Sequence, residues 1–109
     1  MARALILTHE QVREVRRDPR FRAAVAGRLA STEWRAAGRC VTHDPEVFFP
    51  SSADDPRPAI AICQNCPVSG PCLAAALDIG DCDGVWGATT AEERRAMRQV
   101  WVQTVPAGA

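Results

Sequence analysis

The sequence predicts a small, all-α, loop-rich domain organised around a metal centre, with a helical extension at its N-terminus. Three observations lead there. Helix-capping signals recur from one end of the chain to the other, and no convincing strand pattern stands between them. A stretch of 109 residues makes one domain, yet its large rings are only three Phe and three Trp, with no Tyr, and much of the remaining apolar content is Ala. Such a core is undersized for its chain. Third, five cysteines are present, and thiolates that gather a metal supply the organising energy that small side chains lack.

The elements follow in order. Thr8 is a good N-cap, with Gln11 as its capping-box partner and Leu7 and Val12 spaced as a hydrophobic staple. Asp18-Pro19 restarts a second helix carrying Phe21, Val25 and Leu29 on one face. This pair can pack on the domain or bind a partner, and packing is the reading favoured. From Cys40 to Pro58 the chain is irregular, with four prolines among Asp and Ser. AIAIC then reads as a short helix ending near Cys66-Pro67. PCLAAALDIG is another helix, begun at Ser69 and Pro71 and closed by Gly80. DCDGVWGA is rich in turn residues, and Gly84 and Gly87 suit backbone with positive φ. Thr90 and Glu93 form a second capping box, opening a last helix that runs to about Trp101 before a frayed end. The boundaries are therefore an extension over 1–32, a cysteine domain over 33–103 and a tail over 104–109.

The thiols are the chemistry-bearing residues. In CQNCPVSGPC, Cys63 and Cys66 are one helical turn apart, and Cys72 falls at the start of the next helix, where the helix dipole favours a thiolate. Cys40, on the proline-rich segment, completes four ligands. All-cysteine ligation with one distant member suits a 4Fe–4S cluster. Structural zinc prefers two compact pairs, and only one C-x2-C knuckle exists here, with His43 as an alternative donor. Spacing alone leaves both open. A thioredoxin-like pair at CQNC lacks the βαβ context such a motif needs. Cys82, between Asp81 and Asp83, reads as a spare thiol.

Charge and composition exclude other classes. The formal net charge is zero, so no global field draws the chain to DNA or anionic lipid. All of the 13 basic residues are Arg. No segment resembles a secretion signal or a membrane span, so the reducing cytoplasm is the expected compartment, where close-set cysteines bind metal or do redox work.

Three further motifs accompany the cysteines: EWRAAGRC before the first, DPEVFFP after it, and GVWGA after the third in the close-set group. Together with C-x2-C-x5-C they make residues 33–98 resemble the WhiB-like family of actinobacterial regulators. The resemblance implies a 4Fe–4S cluster on Cys40, Cys63, Cys66 and Cys72, responsive to oxygen or nitric oxide. It also implies control of transcription by docking on the C-terminal region of the primary sigma factor within the RNA polymerase holoenzyme. The matching docking positions are Trp34, Phe48, Phe49 and Trp86. Their rings suit either interface anchors or shielding of the cluster. Two consecutive Phe cannot easily both turn inward, so at least one is expected to face outward or to cap the cluster.

Two departures from the family pattern stand out. Ala88 replaces a second glycine of the turn, which costs about 1 kcal/mol if that site needs positive φ. The basic tail that contacts DNA in many members is missing, since no basic residue follows Arg98. Arg94, Arg95 and Arg98 remain as possible phosphate contacts, enough only for weak, salt-sensitive binding, so DNA contact is expected mainly through the partner. Neither a small-molecule substrate nor an enzyme activity is expected. The alternatives are a disulfide reductase working through the CQNC pair and a zinc-stabilised binding module.

Overall fold

The computed structural model describes residues 7–28, 38, 48, 55–80 and 83–104. These hold five helices: α1 (His9–Arg17), α2 (Pro19–Gly27), α3 (Arg57–Gln64), α4 (Ser69–Ile79) and α5 (Ala91–Thr104). Among the described residues there is no strand, only an isolated bridge between Trp86 and Thr89. The all-α class is therefore as predicted. Cys40, Cys82, Trp34, Phe49, Leu29, His43 and most of the proline-rich segment lie outside the described residues.

The N-terminal pair forms as its caps dictate. Thr8 Oγ1 accepts from the Gln11 amide at 3.1 Å while Gln11 Oε1 accepts from the Thr8 amide at 2.8 Å. Leu7 and Val12 are half-buried against the core. Asp18 then serves both helices. Its N–H donates to the carbonyls of Glu14 and Val15, closing α1, and its carboxylate accepts from the Arg20 amide at 2.9 Å, opening α2 at Pro19.

α2 packs on α4 with the two backbones nearly touching. A Cβ at Gly70 would lie 2.6 Å from the Ala23 carbonyl oxygen, so only glycine fits there. Around this crossing sits the main core: Phe21 and Ala24 from α2, Leu73, Ala74 and Leu77 from α4, and Met97, Val100 and Trp101 from α5. Phe21 meets Trp101 edge to face, with ring centroids 6.0 Å apart at 90°. The stripe of Met97, Val100 and Trp101 thus faces inward. The extension is a packing pair that shares one core with α4 and α5.

The ends of α4 and α5 are tied together by polar contacts. Gly80 stops α4 at φ 100°, and its amide donates to the Ala76 carbonyl. Trp101 Nε1 donates to Asp78 Oδ1 at 2.9 Å, and Arg98 Nη1 donates to the Leu77 carbonyl at 2.6 Å. The second capping box forms as expected, with Thr90 Oγ1 accepting from the Glu93 amide at 3.2 Å. α5 continues past Trp101 to Thr104, whose hydroxyl donates to the Val100 carbonyl at 2.8 Å. Thr104 therefore belongs to the helix and not to the tail.

Candidate metal centre and aromatic turn

The corner between α3 and α4 carries three of the four expected ligands. Cys63 lies in the last turn of α3 and is buried, Cys66 is half-buried in the connecting turn, and Cys72 is half-buried in the first turns of α4. α3 stops at Gln64 because Asn65 leaves helical geometry at φ −97°, ψ 7°, two residues before Pro67. The Cys66 amide still donates to the Cys63 carbonyl at 3.0 Å, and the Ser69 amide to the Cys66 carbonyl at 3.3 Å. These short-range bonds fold the knuckle. Among the described residues alone, no group of three or more His, Cys, Asp or Glu side chains is assembled as a metal site; Cys40 falls outside them.

The donor set fits the expected group chemically. Sulfur is the soft donor that iron–sulfur clusters and zinc both take. Cys63 sits in a second apolar layer with Phe48, Ala59, Val85 and Ala88, flanked by Ile60 and Ile62, which limits water around that thiol.

This layer leads directly into the glycine-containing turn. The Val85 amide donates to the Phe48 carbonyl at 2.6 Å. Trp86 is half-buried, pairs with Thr89 through both backbone amides at 3.1 and 3.0 Å, and donates from Nε1 to the Asp83 carbonyl at 2.9 Å. Gly84, Gly87 and Ala88 all have positive φ, at 89°, 55° and 65°. Ala88 thus meets the condition under which alanine is strained. Gly87 is held tightly as well, since a Cβ there would lie 2.6 Å from Leu73 Cβ and 2.7 Å from the Ser69 carbonyl oxygen.

Two expectations need correction. Phe48 is only 7 % exposed, so it lines the layer beside Cys63 instead of presenting a docking ring. Arg94 is 2 % exposed. Its guanidinium donates to the Thr89 carbonyl at 2.8 Å, to Thr89 Oγ1 at 3.1 Å and to the Gly84 carbonyl at 2.6 Å. It braces the Trp86 turn from α5 and is not available to phosphates. Arg98 is likewise engaged, supplying the end of α4 with a donor and a positive charge. Of the three arginines only Arg95 is exposed.

Sequence reasoning missed this brace, although a signal existed. Arg94, Met97 and Trp101 recur at helical spacing and share the buried face. It also missed Arg20, which approaches the same turn from α2. Arg20 Nη1 donates to the Ala88 carbonyl at 2.8 Å, and Nη2 to Glu93 Oε2 at 2.9 Å. A partner 68 residues away leaves no local trace in sequence.

Residues 34–97 match the family described as Transcription factor WhiB. The chain belongs to the WhiB family. It is 39 % identical over 72 residues to the transcriptional regulator WhiB1 of Mycobacterium tuberculosis, covering 62 % of this chain and 86 % of that one. WhiB1 of Bifidobacterium longum is also 39 % identical over 72 residues, covering 62 % and 78 %. The transcriptional regulator WhiB2 of Mycolicibacterium smegmatis is 36 % identical over 75 residues, covering 69 % and 58 %. The WhiB match begins after α2, so Phe21 and Arg20 lie outside the family segment that they support. Among the described residues no helix is long and apolar enough to cross a membrane.

Proposed function

We propose that this WhiB-family transcription factor binds a 4Fe–4S cluster through Cys40, Cys63, Cys66 and Cys72. It acts in the cytoplasm by docking on the C-terminal region of the primary sigma factor in RNA polymerase holoenzyme, with little independent DNA binding. The observation that carries this reading is the continuity of the second layer. Cys63 packs in one cluster with Val85 and Ala88, which flank Trp86 and Gly87. Thiol corner and aromatic turn are thus a single packed unit.

When bound, the cluster supplies a redox- and nitric-oxide-responsive centre. The chain's own residues do the rest. Cys63, Cys66 and Cys72 hold it at the corner, and Phe48, Val85 and Ala88 exclude water from beside Cys63. Arg94 keeps the turn closed, and Trp86 is the described ring left half-buried for a partner. Trp34 and Phe49 complete the proposed docking set. Losing thiolate ligation frees Cys63 from its fixed place under Val85 and Ala88, which loosens the turn that presents Trp86.

Anaerobic co-expression with the sigma factor's C-terminal domain tests the reading. The expected result is a brown complex containing iron and sulfide, with Cys63→Ser losing the colour and most of the complex. A colourless, zinc-containing and fully folded protein defeats the cluster. Equal capture of the sigma domain by the Cys63→Ser variant defeats the link between cluster and docking.

A further inference from the structure

The N-terminal extension reaches the Trp86 turn through one side chain. The Arg20 guanidinium is bound on several sides at once. Nε donates to Asp18 Oδ1 at 3.0 Å, Nη2 donates to Asp18 Oδ2 at 2.7 Å and to Glu93 Oε2 at 2.9 Å, and Nη1 donates to the Ala88 carbonyl at 2.8 Å. Asp18 caps α2, and Glu93 is the capping-box residue of α5. Arg20 is therefore locked to the starts of two helices before it touches the turn. Its planar fork suits this work, because one group reaches acceptors on three residues with fixed geometry.

The residue it touches is the strained one. Ala88 is the sole non-glycine residue with positive φ among the described residues, and for alanine that conformation is unfavourable. Gly84 and Gly87 on its N-terminal side give the turn access to other backbone conformations. The turn is held against them from three directions: by α4 beneath Gly87, by Arg94 from α5, and by Arg20 from α2. The first two contacts lie within the family segment, whereas Arg20 lies before it.

We infer that Arg20 is a positioning residue for the Trp86 turn. By fixing the Ala88 carbonyl, it sets the direction in which Trp86 is presented and so tunes partner affinity. The extension thereby makes docking strength a property of this chain beyond what residues 34–97 provide. The affinity part rests on the docking reading above; the positioning part does not.

The test uses the full chain, prepared anaerobically, as wild type, Arg20→Gln, Arg20→Lys and Phe21→Leu. The Phe21 variant weakens packing of the extension without touching the Arg20 contacts. Hydrogen exchange at the amides of Trp86 and Thr89 reads the turn without any partner. Arg20→Gln should speed it roughly tenfold, the change expected for losing a charge-assisted hydrogen bond, and Arg20→Lys should restore part of the protection. Phe21→Leu should lower the melting temperature while leaving exchange at the turn near wild type. Binding to the sigma C-terminal domain should weaken roughly five- to tenfold in Arg20→Gln at unchanged iron content, in line with loss of one such bond.

Unchanged exchange in Arg20→Gln, or an equal rise in Phe21→Leu, overturns the positioning role. Faster exchange with wild-type affinity overturns the tuning and leaves the docking reading intact. If the wild type itself does not bind the sigma domain, the docking reading falls and takes the tuning with it, while the exchange result still decides the positioning role.

Discussion

The two packed layers are built from different materials. Around the α2–α4 crossing, Phe21, Leu73, Leu77, Met97, Val100 and Trp101 fill the space with large side chains. Beside the thiol corner, the described layer consists of Phe48 with Ala59, Cys63, Val85 and Ala88. The first region is stabilised by apolar burial in the ordinary way. The second has one ring and four small residues, and it is held by backbone bonds, by the Arg94 brace and, on the reading above, by whatever its thiols bind. Among the described residues, then, the larger buried apolar side chains gather mainly where helices cross, and ligation is left to help organise the smaller layer.

The largest expected effect sharpens that contrast. Phe21→Ala removes the ring that meets Trp101 and should cost about 3–5 kcal/mol, seen as a lower denaturation midpoint while iron content at low denaturant holds. Simultaneous loss of iron under native conditions would break the division into two regions. Arg94→Met keeps the apolar stem but strips donors from the Gly84 and Thr89 carbonyls. It should cost about 2–4 kcal/mol and raise exchange in residues 83–89 more than in α2.

A smaller effect is expected in acid. Burial alone would raise the carboxyls of Asp18 and Glu93, but hydrogen bonds from Arg20, and from the Thr90 amide at Glu93, outweigh it and hold both below their usual values. Depressed folded values mean that this stabilisation is complete above the unfolded carboxylate range, about 4, and is lost as pH falls through the lower folded values. The side chains involved are 20–39 % exposed, so the effect should stay below about 1 kcal/mol. The melting-temperature gap between wild type and Arg20→Gln should therefore narrow as pH drops from 7 toward 3. A constant gap would show that the clamp contributes no charge-dependent stability.

The smallest effect is a near cancellation. Ala88→Gly relieves about 1 kcal/mol of left-handed strain but gives up one buried methyl, worth about 0.8 kcal/mol. The melting temperature should hardly move, while exchange at Thr89 rises. A clear stabilisation would mean that the methyl adds little to the thiol-side layer.

What was legible in sequence was mostly local. Both capping boxes, the Asp18-Pro19 restart, the Gly80 stop and the positive-φ turn each depend on residues a few positions apart, and each formed. The distant contacts were harder. Phe48 read as a docking ring because consecutive aromatics suggest exposure, yet its carbonyl pairs with Val85 and its side chain is buried with Cys63. Arg94 and Arg98 read as phosphate contacts because charge normally faces water, whereas here carbonyls at the turn and at the end of α4 reward burying or half-burying them. The thiol corner was read from spacing, and the structure adds which small residues surround Cys63.

The bare backbone at position 70 carries one more consequence. Because main chain meets main chain there, the first helices and the family segment are shaped to one another like a key and its lock. In a recombinant gene joining this prefix to a relative with a side chain at the equivalent of Gly70, one helix would have to shift before the halves closed. Prefix and domain are therefore matched to each other at this crossing.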